Sequence, residues 1–437
     1  MRKKQSAELI SPNFDKKINV HAFMKDYYIK IGYHNFPKIQ FLKKIIKIYI
    51  IYFRKLRIIS EILFKSKFIF NDPPKKDLII YDCANSRYLE IIMDNINFEI
   101  LSTRIKKIKK IFLTKNVVFY ILKNFGKKSL KQNYIAAIIK LMEPKVVITH
   151  VDNNPDFHIT SKIFENSEIK FIAIQAANRG DTVYRSNNIT EKIFIPEYLC
   201  FSKFDQDIHE NKNCKIKKYT TIGSLNAHLA LNYIKSKKIV ISPDLYDICL
   251  VAEPMPESDG DYSHINNFQD KLGQVANYTY RFANENKLKI IFSGKAIGKE
   301  QIEGENVFYK NYLKKFEFKI SSQEMYKFTT YLNMMKSKIV IGLISTSLRE
   351  AFILKKKVLS CNFTGHKDVI FPSSGICSFS NEVSYEEFKE RLTQIINMDF
   401  EEYKNKLSKD VDYIMNSEID PIKFVQDKIK SYVTKKT

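Results

Sequence analysis

The 437-residue chain contains no Trp and only 12 Gly and 12 Pro. Collagen-like and Gly/Pro-rich low-complexity structures are thereby excluded, and a 44% hydrophobic content places the chain among globular proteins. Its six cysteines, Cys83, Cys200, Cys214, Cys249, Cys361 and Cys377, are scattered and include no CxxC pair. That usage predicts free thiols in a reducing compartment instead of a disulfide framework. The eight histidines form neither an HExxH motif nor a His/Cys cluster, which argues against a structural zinc site. No GxxxxGK(S/T) loop occurs and no GxGxxG follows a strand, so the P-loop and dinucleotide fingerprints are both missing. No period of about 20–50 residues recurs, which excludes solenoids and propellers.

What is abundant is positive charge. The net formal charge is +24, from 72 Lys+Arg against 48 Asp+Glu. Such a field attracts polyanions: nucleic acid, anionic lipid headgroups or phosphorylated substrates. The richness in Lys, Ile, Asn and Tyr is also what an AT-rich genome produces without selection for binding, so local clustering is the more telling feature. It is strongest in residues 41–57, FLKKIIKIYIIYFRKLR, where a broad apolar face alternates with cations. The longest apolar run there, Ile48 to Phe53, is far short of the roughly 20 residues that span a bilayer, and no signal peptide is expected ahead of it. The segment predicts a basic amphipathic helix on an anionic membrane face; the plainer alternative is a helix packed on its own domain with solvated lysines. No basic motif with interleaved aromatics is present, so nucleic acid is not an expected partner.

Residues 1–75 read as a basic helical segment, closed by Asn71-Asp72-Pro73-Pro74. Short apolar runs then alternate with amphipathic helices. Strands are predicted at 78–81, 145–149, 170–174 and 198–201, with helices at 86–93 and 129–142, and residues 226–238 read as a helix followed by a lysine-rich stretch. After a lysine-rich pause the pattern restarts, with strands at 248–251, 288–292, 338–341 and 358–360. Helices are predicted at 264–286, 324–335, 347–354, 384–397, 400–413 and 420–434. Continuous apolar strands separated by helices indicate parallel sheets covered on both faces. The fold class is therefore α/β, with two doubly wound Rossmann-like domains, 76–235 and 236–437, facing a cleft. In such sheets ligands bind outside the carboxyl ends of the strands.

Three strand ends carry chemistry. Thr149-His150-Val151-Asp152-Asn153-Asn154-Pro155-Asp156-Phe157-His158 puts titratable groups between a strand and a helix; Asp152 or His158 can serve as general base, or the cluster is a local N-cap and turn. Ile174 to Asp181 offers Gln175 and Asn178 as hydrogen-bonding groups and Arg179 as a clamp for phosphate or carboxylate, with Gly180 permitting a tight turn. The third is Gly342-Leu343-Ile344-Ser345-Thr346-Ser347-Leu348-Arg349-Glu350, supported by Ser293-Gly294-Lys295. A strand ending in glycine and a hydroxyl-rich turn opening a helix form a cradle for a diphosphate, with Lys295 as a cation and Glu350 placed to accept from a ribose. The competing reading is an S-x-x-E capping box, Ser347 to Glu350. The acidic spacings Asp205/Asp207, Asp259/Asp261 and Asp410/Asp412 arise too often to single out a metal site.

With Asp152-Asn153, Gln175 through Arg179, Ser293-Gly294-Lys295, Ser345 through Glu350, and Tyr385 to Phe388 followed by Phe400 to Tyr403, residues 77–430 resemble a GT-B-type glycosyltransferase of the bacterial surface-carbohydrate biosynthesis kind. The resemblance implies that the second domain holds a nucleotide-sugar donor and the first a polysaccharide or lipid-linked acceptor, with no metal and no cofactor. It also implies that Ser345 and Thr346 contact phosphate, Glu350 the ribose or sugar, and that Lys295 stabilises the leaving diphosphate; Arg179, as a phosphate clamp, is expected to offset that charge with it. The free thiols and the basic segment 41–57 together predict a cytoplasmic protein, peripheral on the inner face of the membrane. One departure stands out: where that pattern continues to a glycine, this chain has Leu354-Lys355-Lys356-Lys357. The alternatives are a CDP-polyol phosphotransferase of the teichoic-acid polymerase kind, a non-enzymatic polyanion- or nucleic-acid-binding protein, or a non-catalytic partner in a polysaccharide complex.

Overall fold

The computed structural model describes residue 60 and residues 64–434, apart from 94–95, 105–106, 180–192, 211–213, 254–263 and 325. The chain divides into residues 1–66 and 67–437, and the account below is of the second unit. The basic segment 41–57, Gly180 with Asp181, and Asp259-Gly260-Asp261 lie outside the described residues.

The first half runs β1 (Lys67–Ile69), β2 (Leu78–Tyr81), α1 (Ser86–Ile92), β3 (Phe98–Leu101), β4 (Lys110–Phe112), α2 (Lys115–Lys123), α3 (Leu130–Met142), β5 (Val146–Thr149), α4 (Pro155–Ile163), β6 (Lys170–Ile174), β7 (Ile193–Ile195), β8 (Glu197–Cys200), α5 (Lys203–Glu210), β9 (Cys214–Ile216), β10 (Tyr219–Thr221) and α6 (Leu225–Ser236). Six of these strands form a parallel sheet of order β10-β8-β6-β5-β2-β3. Side chains alternate faces along a strand, and here both faces are buried. Ile79, Tyr81, Val147, Phe171, Ala173 and Tyr198 pack with α3 on one side, whereas Leu78, Ile80, Val146, Ile148, Ile172 and Leu199 pack with α1 and α6 on the other.

The second half runs β11 (Tyr246–Val251), α7 (Phe268–Asn286), β12 (Ile290–Ser293), α8 (Lys299–Tyr312), β13 (Ile320–Ser321), α9 (Thr329–Met335), β14 (Ser337–Gly342), α10 (Thr346–Glu350), β15 (Lys357–Cys361), β16 (Ser378–Phe379), α11 (Tyr385–Asn397), α12 (Phe400–Asn405), α13 (Val411–Ile414) and α14 (Pro421–Val433). Its sheet is also parallel, with order β13-β12-β11-β14-β15-β16. The last helix returns: Ile422, Val425 and Ile429 of α14 belong to the core of the first sheet. Two doubly wound parallel sheets with the final helix packed back on the first is a GT-B-like architecture.

Several predicted helices are shorter than their periodicity suggests. The stretch 400–413 breaks into α12 and α13, because Asp410 caps a new helix by accepting from the Tyr413 amide at 2.7 Å. Helix 324–335 starts only at Thr329, after Tyr326 and Phe328 adopt left-handed φ of 62° and 54°. Helix 347–354 is reduced to α10, and the exit turn beyond it forms without glycine. Lys355 takes a φ of 53°, and the Lys356 amide closes on the Ala351 carbonyl at 2.9 Å.

Gly223 marks where the returning chain meets the first sheet. Its φ is 76°, and a Cβ there would lie 2.3 Å from the Asn416 carbonyl oxygen. Gly126 shares the conformation, at φ 80°, with nothing within 4 Å. Gly223→Ala should therefore cost more than about 3 kcal/mol in urea unfolding, since overpacking against backbone adds to the left-handed strain. Gly126→Ala should cost only about 1–2 kcal/mol. Equal losses would refute the close approach.

Candidate functional site

Each sheet reverses its strand order once, and ligands in such folds bind at that reversal. In the first sheet it falls between β2 and β5, whose exits carry Asp82 to Asn85 and His150 to Asn154; in the second it falls between β11 and β14, followed by Glu253 and Ser345. The carboxyl ends of the two sheets meet there through a dense polar junction.

The centre of the junction is Arg349. It is the largest fully buried side chain among the described residues, 1% exposed. Its Nε donates to the Ile414 carbonyl at 2.8 Å, Nη1 to Asp205 at 2.9 Å and to the Asn178 side chain at 3.2 Å, and Nη2 to Asp205 at 2.6 Å and Ser202 at 2.9 Å. A guanidinium has five N–H donors, and all five are used. The plane also lies over the rings of Phe201 and Phe204. Burial pushes the Asp205 carboxyl up, but the Arg349 charge and hydrogen bonds outweigh it and its pKa is lowered. Asp205 is thus a structural anion, Asp207 accepts from Tyr413 at 3.1 Å, and neither is poised for a metal. Asp410 caps a helix, and Asp412 accepts from the nearby Ser417 hydroxyl at 3.0 Å.

The hydroxyl-rich turn is held by the protein itself. Ser345 caps α10 by accepting from the Ser347 amide at 3.4 Å, and Thr346 Oγ1 accepts from the Asn178 amide at 2.9 Å. The Asn178 side chain donates to the Ile344 carbonyl at 3.1 Å. Glu350 does not close a capping box on Ser347. Its carboxylate accepts from Ser224 of the first half and from Tyr331 at 2.9 Å, and burial raises its pKa against the pull of those bonds. The expected ribose acceptor is therefore engaged by protein donors, and the expected cradle by Asn178. Gly342 ends β14 as predicted, but a Cβ there would make only ordinary contacts, the nearest at 3.4 Å. Ser347 is half-buried in the same turn.

On the first sheet, Asp152 is fully buried and saturated. It accepts from Arg179 Nε at 2.8 Å, Arg179 Nη2, the Ala176 amide at 3.2 Å and the Tyr198 hydroxyl at 2.9 Å. Burial opposes ionisation, yet Arg179 and Tyr198 hold the carboxyl below its usual range. With both oxygens occupied and a lowered pKa it is ill suited to take a proton, so the general-base reading of Asp152 is corrected to a positioning one. Arg179 is correspondingly spent on Asp152, its side chain 9% exposed. Gln175 is not at a cleft edge: it is fully buried, donating to Asp205 at 2.7 Å and accepting from the Phe201 amide at 2.9 Å.

His150 and His158 flank the Asp152–Arg179 pair. Both are buried, and no ring nitrogen of either makes a well-formed hydrogen bond. Burial pushes each imidazole down to about 4, with Asp152 opposing, so both are neutral near pH 7.

Lys295 remains accessible. It is 48% exposed, and its Nζ lies 3.7 Å from Glu253, which is 2% exposed and has one oxygen without a partner. Burial raises the Glu253 carboxyl, opposed by Lys295 and Ser345. Glu305 accepts from the Lys295 amide at 3.0 Å and leaves its other oxygen unpaired. Sequence reasoning missed Glu253 although it directly follows a strand, which is the same signal that singled out Lys295. It also missed Asp82, which leaves β2 at a φ of 73° and pairs with Arg104 at 2.9 Å. Among the described residues one His/carboxylate group has metal-like spacing: His264 Nε2 lies 2.7 Å from Asp368, with His366 Nδ1 at 3.7 Å. His366 Nδ1 already accepts from the Asp368 amide at 3.2 Å. An open groove of about 1460 Å³ runs along α8, lined by Ile302, Asn306, Val307 and Phe316 and by none of the strand-end residues above.

No family model matches the chain, and no curated protein matches it by sequence. Among solved structures, a glycosyltransferase from Rickettsia africae aligns over 83% of this chain and 100% of its own, at 13% identity and a TM-score of 0.45. The UDP-GlcNAc 2-epimerase of Neisseria meningitidis, bound to UDP-GlcNAc, aligns over 82% and 99%, at 14% and 0.47. The wall teichoic acid polymerase TagF aligns over 91% and 98%, at 10% and 0.44. Likeness at this level says nothing of donor, acceptor or reaction, and the GT-B-like description rests on the sheet topology above.

Asp205→Asn would leave Arg349 buried without its counter-charge, and should cost about 3–5 kcal/mol in urea unfolding. Exchanging both partners for apolar residues should recover part of that. A loss under about 1 kcal/mol would show that the pair is not the junction's anchor. For the histidines the folded chain takes up protons near pH 4 and the unfolded chain near about 6.5. Their contribution to stability is whole above about pH 6.5 and drains away as pH falls toward 4, at up to about 1.4 kcal/mol per pH unit each. His158→Asn should flatten the stability-versus-pH curve in that window by one proton; an unchanged slope contradicts its burial as a neutral group.

Proposed function

We propose that the protein is a glycosyltransferase that moves a sugar from a nucleotide-sugar donor, bound by residues 236–437, to a polysaccharide or lipid-linked acceptor on residues 76–235. The observation that carries this reading is the convergence of Lys295, Glu253 and Ser345 at the strand reversal of the second sheet, opposite the equivalent reversal of the first. Lys295 is the accessible cation of that group and offsets the charge that develops on a departing diphosphate. Ser347, half-buried in the turn, is within the same strand-end surface and completes the phosphate contacts. Thr346 joins them only when Asn178 releases it, and Glu350 reaches a ribose only when it gives up Ser224 or Tyr331. Donor binding is thereby tied to a rearrangement at the junction. On the acceptor side, proton transfer falls to one of the two neutral histidines, His150 or His158, since the oxygens of Asp152 are already occupied. Arg179 fixes Asp152, and Gln175 fixes Asp205; both act at one remove from the substrate. No metal or cofactor enters the proposal.

Thermal unfolding against a panel of UDP, CDP and GDP compounds tests it. A ligand at 100-fold its dissociation constant adds roughly 2.7 kcal/mol, a shift of several degrees. Lys295→Met should abolish the shift while leaving the unliganded midpoint within about a degree, because an exposed lysine contributes little to folding. A panel without effect on the wild-type protein removes the donor assignment, and response to CDP-polyols alone transfers it to the phosphotransferase alternative.

A further inference from the structure

Helix α2 is apolar on both sides. Val117 points inward, fully buried, with Tyr120 and Ile121 packed on the first sheet's core. Yet Val118, Phe119 and Leu122 are 38%, 68% and 66% exposed, with Leu113 before the helix at 46%. Just beyond it, Phe125 and Leu130 are exposed at 79% and 67%. A helix that is hydrophobic all round is normally buried all round. Here no element among the described residues covers the second side, and its side chains protrude instead of lining a groove.

The charge around this face is predominantly positive; the acid at the start of α2 is Asp72, which accepts from Thr114 and Asn116. Residues 100–142 carry eleven Lys and Arg and no Asp or Glu. Lys115 and Lys123 sit at the two ends of α2, and Lys127 follows in the next turn; all three are exposed. The occupant must therefore be negatively charged and must accept large apolar groups at once. A second copy of the same face would bring like charge. A folded protein partner would have to offer a cavity for each protruding ring, whereas a lipid headgroup layer is fluid and closes around whatever enters. Lysines at the edge can lay their alkyl stems along the apolar boundary while the ammonium groups meet phosphates.

We infer that the α2 face, centred on Phe119, Leu122 and Phe125 and rimmed by Lys115, Lys123 and Lys127, docks the protein on an anionic lipid surface. The inference does not depend on the transferase reading.

The absence of Trp makes a direct test possible in the whole chain. Phe119→Trp introduces a single indole at the centre of the face, and Ile370→Trp places one at a site 57% exposed in the second half. With phosphatidylglycerol-rich vesicles, emission from the Phe119→Trp protein should shift to the blue and be quenched by brominated lipid; emission from the Ile370→Trp protein should do neither. Pure phosphatidylcholine vesicles should leave the Phe119→Trp protein largely unquenched. In the Phe119→Trp background, replacing Lys115, Lys123 and Lys127 with Gln should weaken that quenching at least ten-fold in lipid concentration, as expected for three cations near an anionic surface. An indole at position 119 that stays unquenched while the protein pellets with vesicles would move the contact to another segment and overturn the inference. So would absence of vesicle binding, or equal quenching by neutral and anionic vesicles. None of these outcomes bears on nucleotide binding, so the two readings fail independently.

Discussion

Among the described residues, the two halves of this protein meet around a fully buried ion pair, Arg349 with Asp205. Arg349 leaves a short helix of the second sheet and ends among Asp205, Ser202 and Asn178 of the first. Removing both charges from water is expensive, and such a pair is tolerated only when every remaining donor and acceptor is satisfied. Here the five guanidinium donors, the Gln175 amide and the Ser202 hydroxyl meet that condition. The same geometry positions Asn178, which in turn holds the turn at Thr346. The arrangement at the strand ends is thus subordinate to the junction, and the polar side chains there cannot be read one at a time.

How far the fold can be read from sequence depends on burial. The strands at 78–81, 146–149, 170–174 and 337–342 are central, and their continuous apolar runs leave little choice. The edge strands Phe98–Leu101, Cys214–Ile216 and Tyr219–Thr221 are half-buried and carry Glu, Lys and Thr, so they offer no such signal. Helix ends were harder still. Asp410 reads as an interior residue of a helix until its side chain is seen capping one, and Lys355 in a left-handed turn breaks the expectation of glycine.

The strand ends were legible as the place of interest; the roles of their residues were not. A polar residue after a strand faces a crevice whether it waits for a ligand or for the opposite half of the protein. Asp152, Gln175 and Glu350 all proved to be answered from within. Asp152 and Gln175 find their partners within the first half, and Glu350 finds Tyr331 in its own half and Ser224 in the other; these pairings are made by the tertiary fold, and nothing local in the sequence encodes them. Lys295, by contrast, stays 48% exposed with its Nζ 3.7 Å from one oxygen of Glu253, whose other oxygen has no partner.

The return of α14 to the first sheet sets an order of assembly. Leu78, Ile80 and Val146 belong to the earliest strands, yet the face they share is finished by Ile422, Val425 and Ile429. During synthesis the whole second sheet must emerge from the ribosome before that apolar surface is covered. The N-terminal half therefore waits, partly open, until α14 has been made, and chaperone binding to a nascent chain would concentrate on that one side of it.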